Sequence, residues 1–146
     1  MTALPSAAVA SATPATRTLM AFLRVLLLAE AGATLGLAIF LSMVASGLGD
    51  GLAGSAGAAG ETAVRFAAGA AFLFAIFATV ASRGARRRRA WAWTLGAMLQ
   101  VILAIGTGIA VVTATWHPAY LVGFGLAAAV MTVLSTASVR RALGQD

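Results

Sequence analysis

The sequence predicts an all-α, polytopic membrane protein: a bundle of four transmembrane helices with N- and C-termini cytoplasmic. Three observations predict it. Of the 146 residues, 61% are hydrophobic and only 10% charged, and the mean hydropathy is +0.97. That is more apolar surface than a water-soluble domain of this size can bury or display. The apolar residues fall into four runs, each reaching the roughly 20 residues that cross about 30 Å of hydrocarbon. The arginines, finally, sit in the short gaps between runs. Open strands could not satisfy their backbone groups in lipid, so each run is read as a helix.

In chain order, residues 1–17 read as a disordered cytoplasmic tail, because "MTALPSAAVASATPAT" is small, polar and broken by Pro. A cleaved secretory signal is disfavoured: the next apolar run is too long for a signal core and carries Arg24 and Glu30. The helices are expected at about 18–44, 62–82, 90–115 and 119–139, forming a membrane domain over 18–141, and residues 142–146 read as a C-terminal tail. The gap "ASGLGDGLAGSAGAAGE", 45–61, is Gly-rich and predicts a flexible loop. "RGARRRR", 83–89, is a short basic connection, and "WHP", 116–118, a tight turn.

Orientation follows from the arginines in short loops. Four crossings put Arg17, Arg83, Arg86, Arg87, Arg88, Arg89, Arg140 and Arg141 on one side, against Arg65 beside Glu61 and Asp50 on the other. The basic side is therefore assigned to the cytoplasm and the protein to the plasma membrane. Trp91 and Trp93 at one end of the third helix, with Trp116 and Tyr120 at the other turn, suit headgroup-level anchors. A pI near 11.8 does not imply nucleic acid, since the arginines form no stripe along an amphipathic face. The Arg86–Arg89 run reads as a topology signal that also meets anionic lipid headgroups.

Glu30 is the exception inside the first run, "LLLAEAGATLG". A charged carboxylate facing lipid costs several kcal/mol, so Glu30 either faces the interior or is neutral. Counting from the cytoplasmic side, Gln100 in the third helix lies roughly 10 Å past Trp93, at a similar depth. Thr79 and Thr132 reach that level from the opposite chain direction. One interior polar cluster of Glu30, Gln100, Thr79 and Thr132 is expected, with a protonated Glu30 donating to Gln100. Gly32 and Gly36 form a GxxxG pair that serves helix packing, either within one bundle or between two copies.

Several chemistries have no support. With four carboxylates, one His and no Cys, no nucleophile–base–orienter set or metal-ligand set can be assembled, and no Gly-rich phosphate loop opens a helix. No enzyme activity, metal or cofactor is expected. Glu61 and Arg65 are spaced for a local ion pair. The leading functional expectation is a non-catalytic accessory or interaction protein of the cell envelope. It would contact the lipid bilayer and another membrane protein or a second copy. The alternative is a small proton- or cation-coupled transporter using Glu30.

Two resemblances bear on this. "RRRRAWAWTLGAMLQVILAIGTG" and "LVGFGLAAAVMTVLSTASVRRALG" resemble small, uncharacterised four-helix integral membrane proteins of actinobacteria. The shared features are the basic loop Arg86–Arg89, the Trp91–Ala92 step, mid-helix Gln100 and the closing Arg140–Leu143, with an acid in the first helix. That likeness implies architecture and lineage, not activity. A second similarity, to small multidrug exporters, is confined to the first helix. Glu30 and Thr34 match the spacing of that family's Glu and Thr, while Ala33 stands where Gly is usual. This likeness implies transport through Glu30. The mid-membrane aromatic cluster of that family is missing, because Trp91 and Trp93 lie at an interface.

Overall fold

The computed structural model describes residues 13–51, 55–113 and 119–145, and within them it is helical, with no strand. Thr13 starts the first helix. Its hydroxyl oxygen accepts the Thr16 N–H at 3.3 Å, and Pro14, lacking an N–H to strand, takes the first helical position. The helices are α1 (Pro14–Gly51), α2 (Ser55–Arg86), α3 (Ala90–Thr113), α4 (Ala119–Ser135) and α5 (Ala137–Ala142). Three of them contain segments long and apolar enough to cross a membrane: Pro14–Gly47, Ala58–Arg86 and Ala90–Val112. At 17 residues, α4 is only about 25 Å long and falls short of that length.

Several boundaries differ from those the sequence predicts. The first helix begins inside the expected tail, at Pro14, and residues 1–12 lie outside the described residues. Both α1 and α2 continue into the Gly-rich gap, leaving only residues 52–54, which are not described, between them. Each Gly costs about 1 kcal/mol of helix propensity relative to Ala. Here that cost is offset by packing, since Ala45 is buried between the two helices. The "WHP" turn and the last residues expected of the third helix also lie outside the described residues.

The fourth apolar run is divided. Thr136 adopts an extended conformation, φ −65° and ψ 134°, and its hydroxyl donates to the Val133 carbonyl at 2.7 Å. Hydroxyl residues offer the backbone this alternative to continued helix. Beyond the break, α5 turns its Val139 and the following Leu143 into the interior, both essentially inaccessible. The expected C-terminal tail is thus docked. Gly144, at φ 71°, allows the Gln145 N–H to reach Arg140 O at 2.9 Å and the Gly144 N–H to reach Arg141 O at 3.1 Å. These are the paired bonds that close a helix through a left-handed residue.

The same closure ends α2, but with Arg88 in the left-handed position at φ 50°. The Arg89 N–H bonds Gly84 O and the Arg88 N–H bonds Ala85 O, each at 3.1 Å. The chain then reverses into α3 at Ala90. Gly84 makes the reversal tight. A Cβ there would lie 2.9 Å from the Ala92 Cβ and 2.5 Å from the Trp91 ring.

Packing divides the molecule into two unequal halves. α1 lies along α2, joined by small residues at seven-residue intervals: Ala31, Ala38 and Ala45 on one helix, Ala68, Ala75 and Ser82 on the other, all buried. Small side chains let helix backbones approach closely. The main core lies in the arginine-bearing half. There Leu23, Leu27, Ala78, Ala81, Leu99, Val130, Leu134 and Val139 form one cluster. In the other half α3 and α4 bury almost nothing, and large side chains such as Met43, Phe66 and Val112 face outward.

Two outcomes are expected from the α2–α3 reversal. Arg88→Gly removes the left-handed strain of a residue with a Cβ and raises unfolding stability by about 1 kcal/mol. Gly84→Val forces α3 away and lowers it by roughly 1–3 kcal/mol. Both are read by reversible denaturation in detergent micelles; a destabilised Arg88→Gly or a neutral Gly84→Val contradicts this geometry.

Candidate functional site

Glu30 and Gln100 meet where the close-packed half gives way to the open one. Glu30 falls on the buried stripe of α1 that runs through Met20, Leu23, Leu27, Ala31 and Ala38, a spacing of three and four residues that keeps it on the interior face. Gln100 follows Leu99 on the inner face of α3. Both side chains are about 99% buried, each retaining 1% exposure. Gln100 Nε2 donates to Glu30 Oε2 at 2.9 Å. The two residues expected to meet at one depth do so, although the donor is the amide rather than the carboxyl. The bond leaves Glu30 Oε1 and Gln100 Oε1 buried without a hydrogen-bond partner. A buried acceptor left unmade costs roughly 1–3 kcal/mol.

The structure does not bring the two threonines to this pair. Thr79 donates to Ala75 O at 2.9 Å and lines a groove with Leu28 and Gly32 on another face of the α1–α2 pair. Thr132 is exposed and donates to Ala128 O at 2.7 Å. Each hydroxyl is satisfied by the preceding turn of its own helix, so neither needs the interior. The hydroxyl nearest in sequence to Glu30 is Thr34, which likewise donates to the Glu30 carbonyl at 2.7 Å.

Gly32 and Gly36 are exposed, and a Cβ added at either would meet nothing within 4 Å. The close helix approach runs instead along the Ala31–Ala38–Ala45 face, one position round the helix from the glycines. Arg86, Arg87, Arg88 and Arg89 are all exposed around the α2–α3 turn, where they can meet headgroups or solvent. Glu61 and Arg65 form the local ion pair at 2.5 Å. Arg24 is half-buried, and its Nε is the remaining buried side-chain polar atom without a partner among the described residues.

Beyond Glu30, toward the Tyr120 end, the four longer helices line an open cleft of about 590 Å³. Glu30 forms part of its lining, and its walls carry Leu37, Phe74, Ile102, Leu103, Val122 and Leu126. Small residues create the space: Ala33, Ala70, Ala71, Gly106, Ala110 and Gly123. At the arginine-bearing end a second link crosses the helices. Trp93 Nε1 donates to Leu134 O at 3.0 Å, a carbonyl near the end of α4 that the break at Thr136 deprives of its helical partner. Trp93 is therefore more than an interfacial anchor. The hydroxyl-rich "STAS" segment, 135–138, was the sequence signal for that break.

Gln100→Leu leaves the Glu30 carboxyl without its only side-chain partner and is expected to cost about 1–3 kcal/mol. The double variant Glu30→Leu/Gln100→Leu should recover much of the loss. A thermodynamic cycle in micelles should give a coupling of about 0.6–2 kcal/mol, and a coupling of zero would refute the contact. No family model, no curated protein and no solved structure matches this chain.

Proposed function

We propose that this chain is a multi-pass plasma-membrane protein with four spans and both termini in the cytoplasm. It acts as a non-catalytic accessory or interaction protein of the cell envelope. Three helices of spanning length and the eight arginines gathered at one end support the topology. The fourth span is α4, shorter than the others and completed at its arginine-bearing end by the α5 turn.

One observation carries the accessory reading: the intramembrane acid is already engaged. Glu30 is about 99% buried and bonded to Gln100, beside a cleft lined mostly by apolar side chains, whereas a proton pathway requires a chain of polar groups or water leading to the carboxyl. Among the described residues no three His, Cys, Asp or Glu side chains stand together to bind a metal. The weakly packed half, with its outward-facing Met43, Phe66, Phe72 and Val112, offers a surface to lipid, to another membrane protein or to a second copy.

The second reading, a proton- or cation-coupled transporter, draws on a different feature. Glu30 Oε1 is unpartnered, and the residue borders a cleft large enough for a small solute.

Glu30→Gln separates the two, because it keeps the size and hydrogen bonding of the side chain while removing its charge. Under the accessory reading Glu30→Gln leaves the chain in the larger complex recovered by native purification in mild detergent, and Glu30→Leu releases it. Under the transporter reading Glu30→Gln alone abolishes proton-linked flux in proteoliposomes. Recovery of the wild-type chain free of any larger complex would overturn the accessory assignment.

A further inference from the structure

We propose that the Gly32 groove between α1 and α2 binds one anionic phospholipid of the arginine-side leaflet, its phosphate on Arg83 and an acyl chain along the groove. The proposal rests on the membrane placement above and not on the accessory role. The groove, of about 390 Å³, carries Leu28, Gly32 and Leu35 from α1 and Phe72, Ile76 and Val80 from α2. Gly32 leaves it open, since a Cβ there would meet nothing within 4 Å. Thr79 also lines it, but its hydroxyl already donates to Ala75 O. The lining therefore offers hydrocarbon contact along its length and a charge at one end, Arg83.

Charge and length select the occupant. Arg83 is exposed and makes no ion pair among the described residues, and no carboxylate stands in the lining. Arg24 lies one turn nearer that end on the face of Leu28. It is half-buried and likewise has no ion pair among the described residues. Two cations from two helices thus flank one end of the groove. A guanidinium grips phosphate oxygens through paired N–H donors. Net negative charge is favoured as well, because exposed Arg86 and Arg87 follow within about one turn of Arg83, and a choline headgroup would bring its own cation among them. From Arg83 to Phe72 the lining runs about 16 Å along α2, close to one leaflet of a hydrocarbon core about 30 Å thick. An acyl chain enters sideways from the bilayer, so an open trough suffices. A second copy seated by two-fold symmetry would instead set the two Arg83 side chains at one depth, a like-charge approach that opposes it.

The experiment uses the full chain in lipid nanodiscs containing phosphatidylglycerol with a diazirine midway along one acyl chain, compared with phosphatidylcholine bearing the same chain. Photolabelled peptides are mapped by mass spectrometry. Phosphatidylglycerol should label Leu28–Leu35 and Phe72–Val80 about fivefold more than phosphatidylcholine, the factor that one basic residue near a membrane surface supplies. Arg83→Gln should bring the two lipids close to equal. Arg140→Gln, which removes the same charge from an exposed position on α5, should leave the preference intact. Gly32→Phe fills the groove without a backbone clash and should abolish labelling of both segments, whereas Gly106→Phe, at an equally open glycine of α3, should not. Because the chain has no Cys, Ile76→Cys reports separately on a second copy at this face. Equal labelling by the two lipids, equal losses in Arg83→Gln and Arg140→Gln, persistence in Gly32→Phe, or a disulfide-linked dimer of Ile76→Cys under mild oxidation would each overturn the proposal. A chain that does not insert into the nanodisc overturns the membrane placement as well, whereas one that inserts without preferring either lipid overturns this site alone.

Discussion

The arrangement of this protein depends on one constraint: a carboxyl and an amide placed in an apolar interior must satisfy each other. α1 and α3 make little other contact, since each packs mainly against α2 or α4. The Gln100–Glu30 bond therefore ties directly two helices whose backbones stay apart and whose leucines meet in the shared core. Hydrogen bonds between membrane helices are individually modest, because the separated helices find other partners. Their value lies in specificity. Sliding α3 by one residue along α1 would strand two polar side chains, and that penalty is larger than the bond itself.

Around this contact the molecule is built from two hairpins with different internal packing. The α1–α2 hairpin is held by small residues every seven positions, Ala31, Ala38 and Ala45 against Ala68, Ala75 and Ser82. A repeat of seven keeps a seam facing its partner as two helices wind around each other. The α3–α4 pair uses larger side chains near the arginine-bearing end, where Leu99, Val130 and Leu134 interlock, with Trp93 bridging to α4. Bulky residues sit inward at one end and outward at the other, and so the core occupies only one half.

Much of this was legible in the sequence, for physical reasons that also explain what was not. Apolar runs and arginine-bearing gaps report a solvent preference that local packing cannot override, which is why each apolar run is helical and the Arg86–Arg89 turn joins the second to the third. Glu30 and Gln100 could be paired because helical rise converts residue number into depth. Depth says nothing about azimuth, however. Thr79 and Thr132 stand on other faces, and a hydroxyl can satisfy itself on its own helix. The GxxxG pair misled for a related reason: in a helix rich in Ala, Ala31 and Ala38 provide as close an approach as Gly32 and Gly36. Helix ends were the weakest point. Gly in the 45–61 gap signals a loop only when nothing is packed against it, and the break at Thr136 rests on a side-chain bond that the hydrophobic pattern does not encode.

The cleft follows from these same packing rules. Gly123 already sits against Thr107, since a Cβ there would lie 3.0 Å from the Thr107 hydroxyl, so α4 cannot approach α3 further at that level. The α1–α2 seam is likewise fixed by the buried Ala31, Ala38 and Ala45 against Ala68, Ala75 and Ser82. Space remaining between the hairpins can therefore be removed only by moving one pair as a body against the other, and the Glu30–Gln100 bond resists that motion. That space is open at its mouth, where Ile102 and Val122 of the lining remain more than half exposed. Ala33, Ala70, Ala71 and Gly106 stand in its lining where larger side chains would fill it, so the width of the cleft is set by small residues as well as by the fixed spacing of the two hairpins.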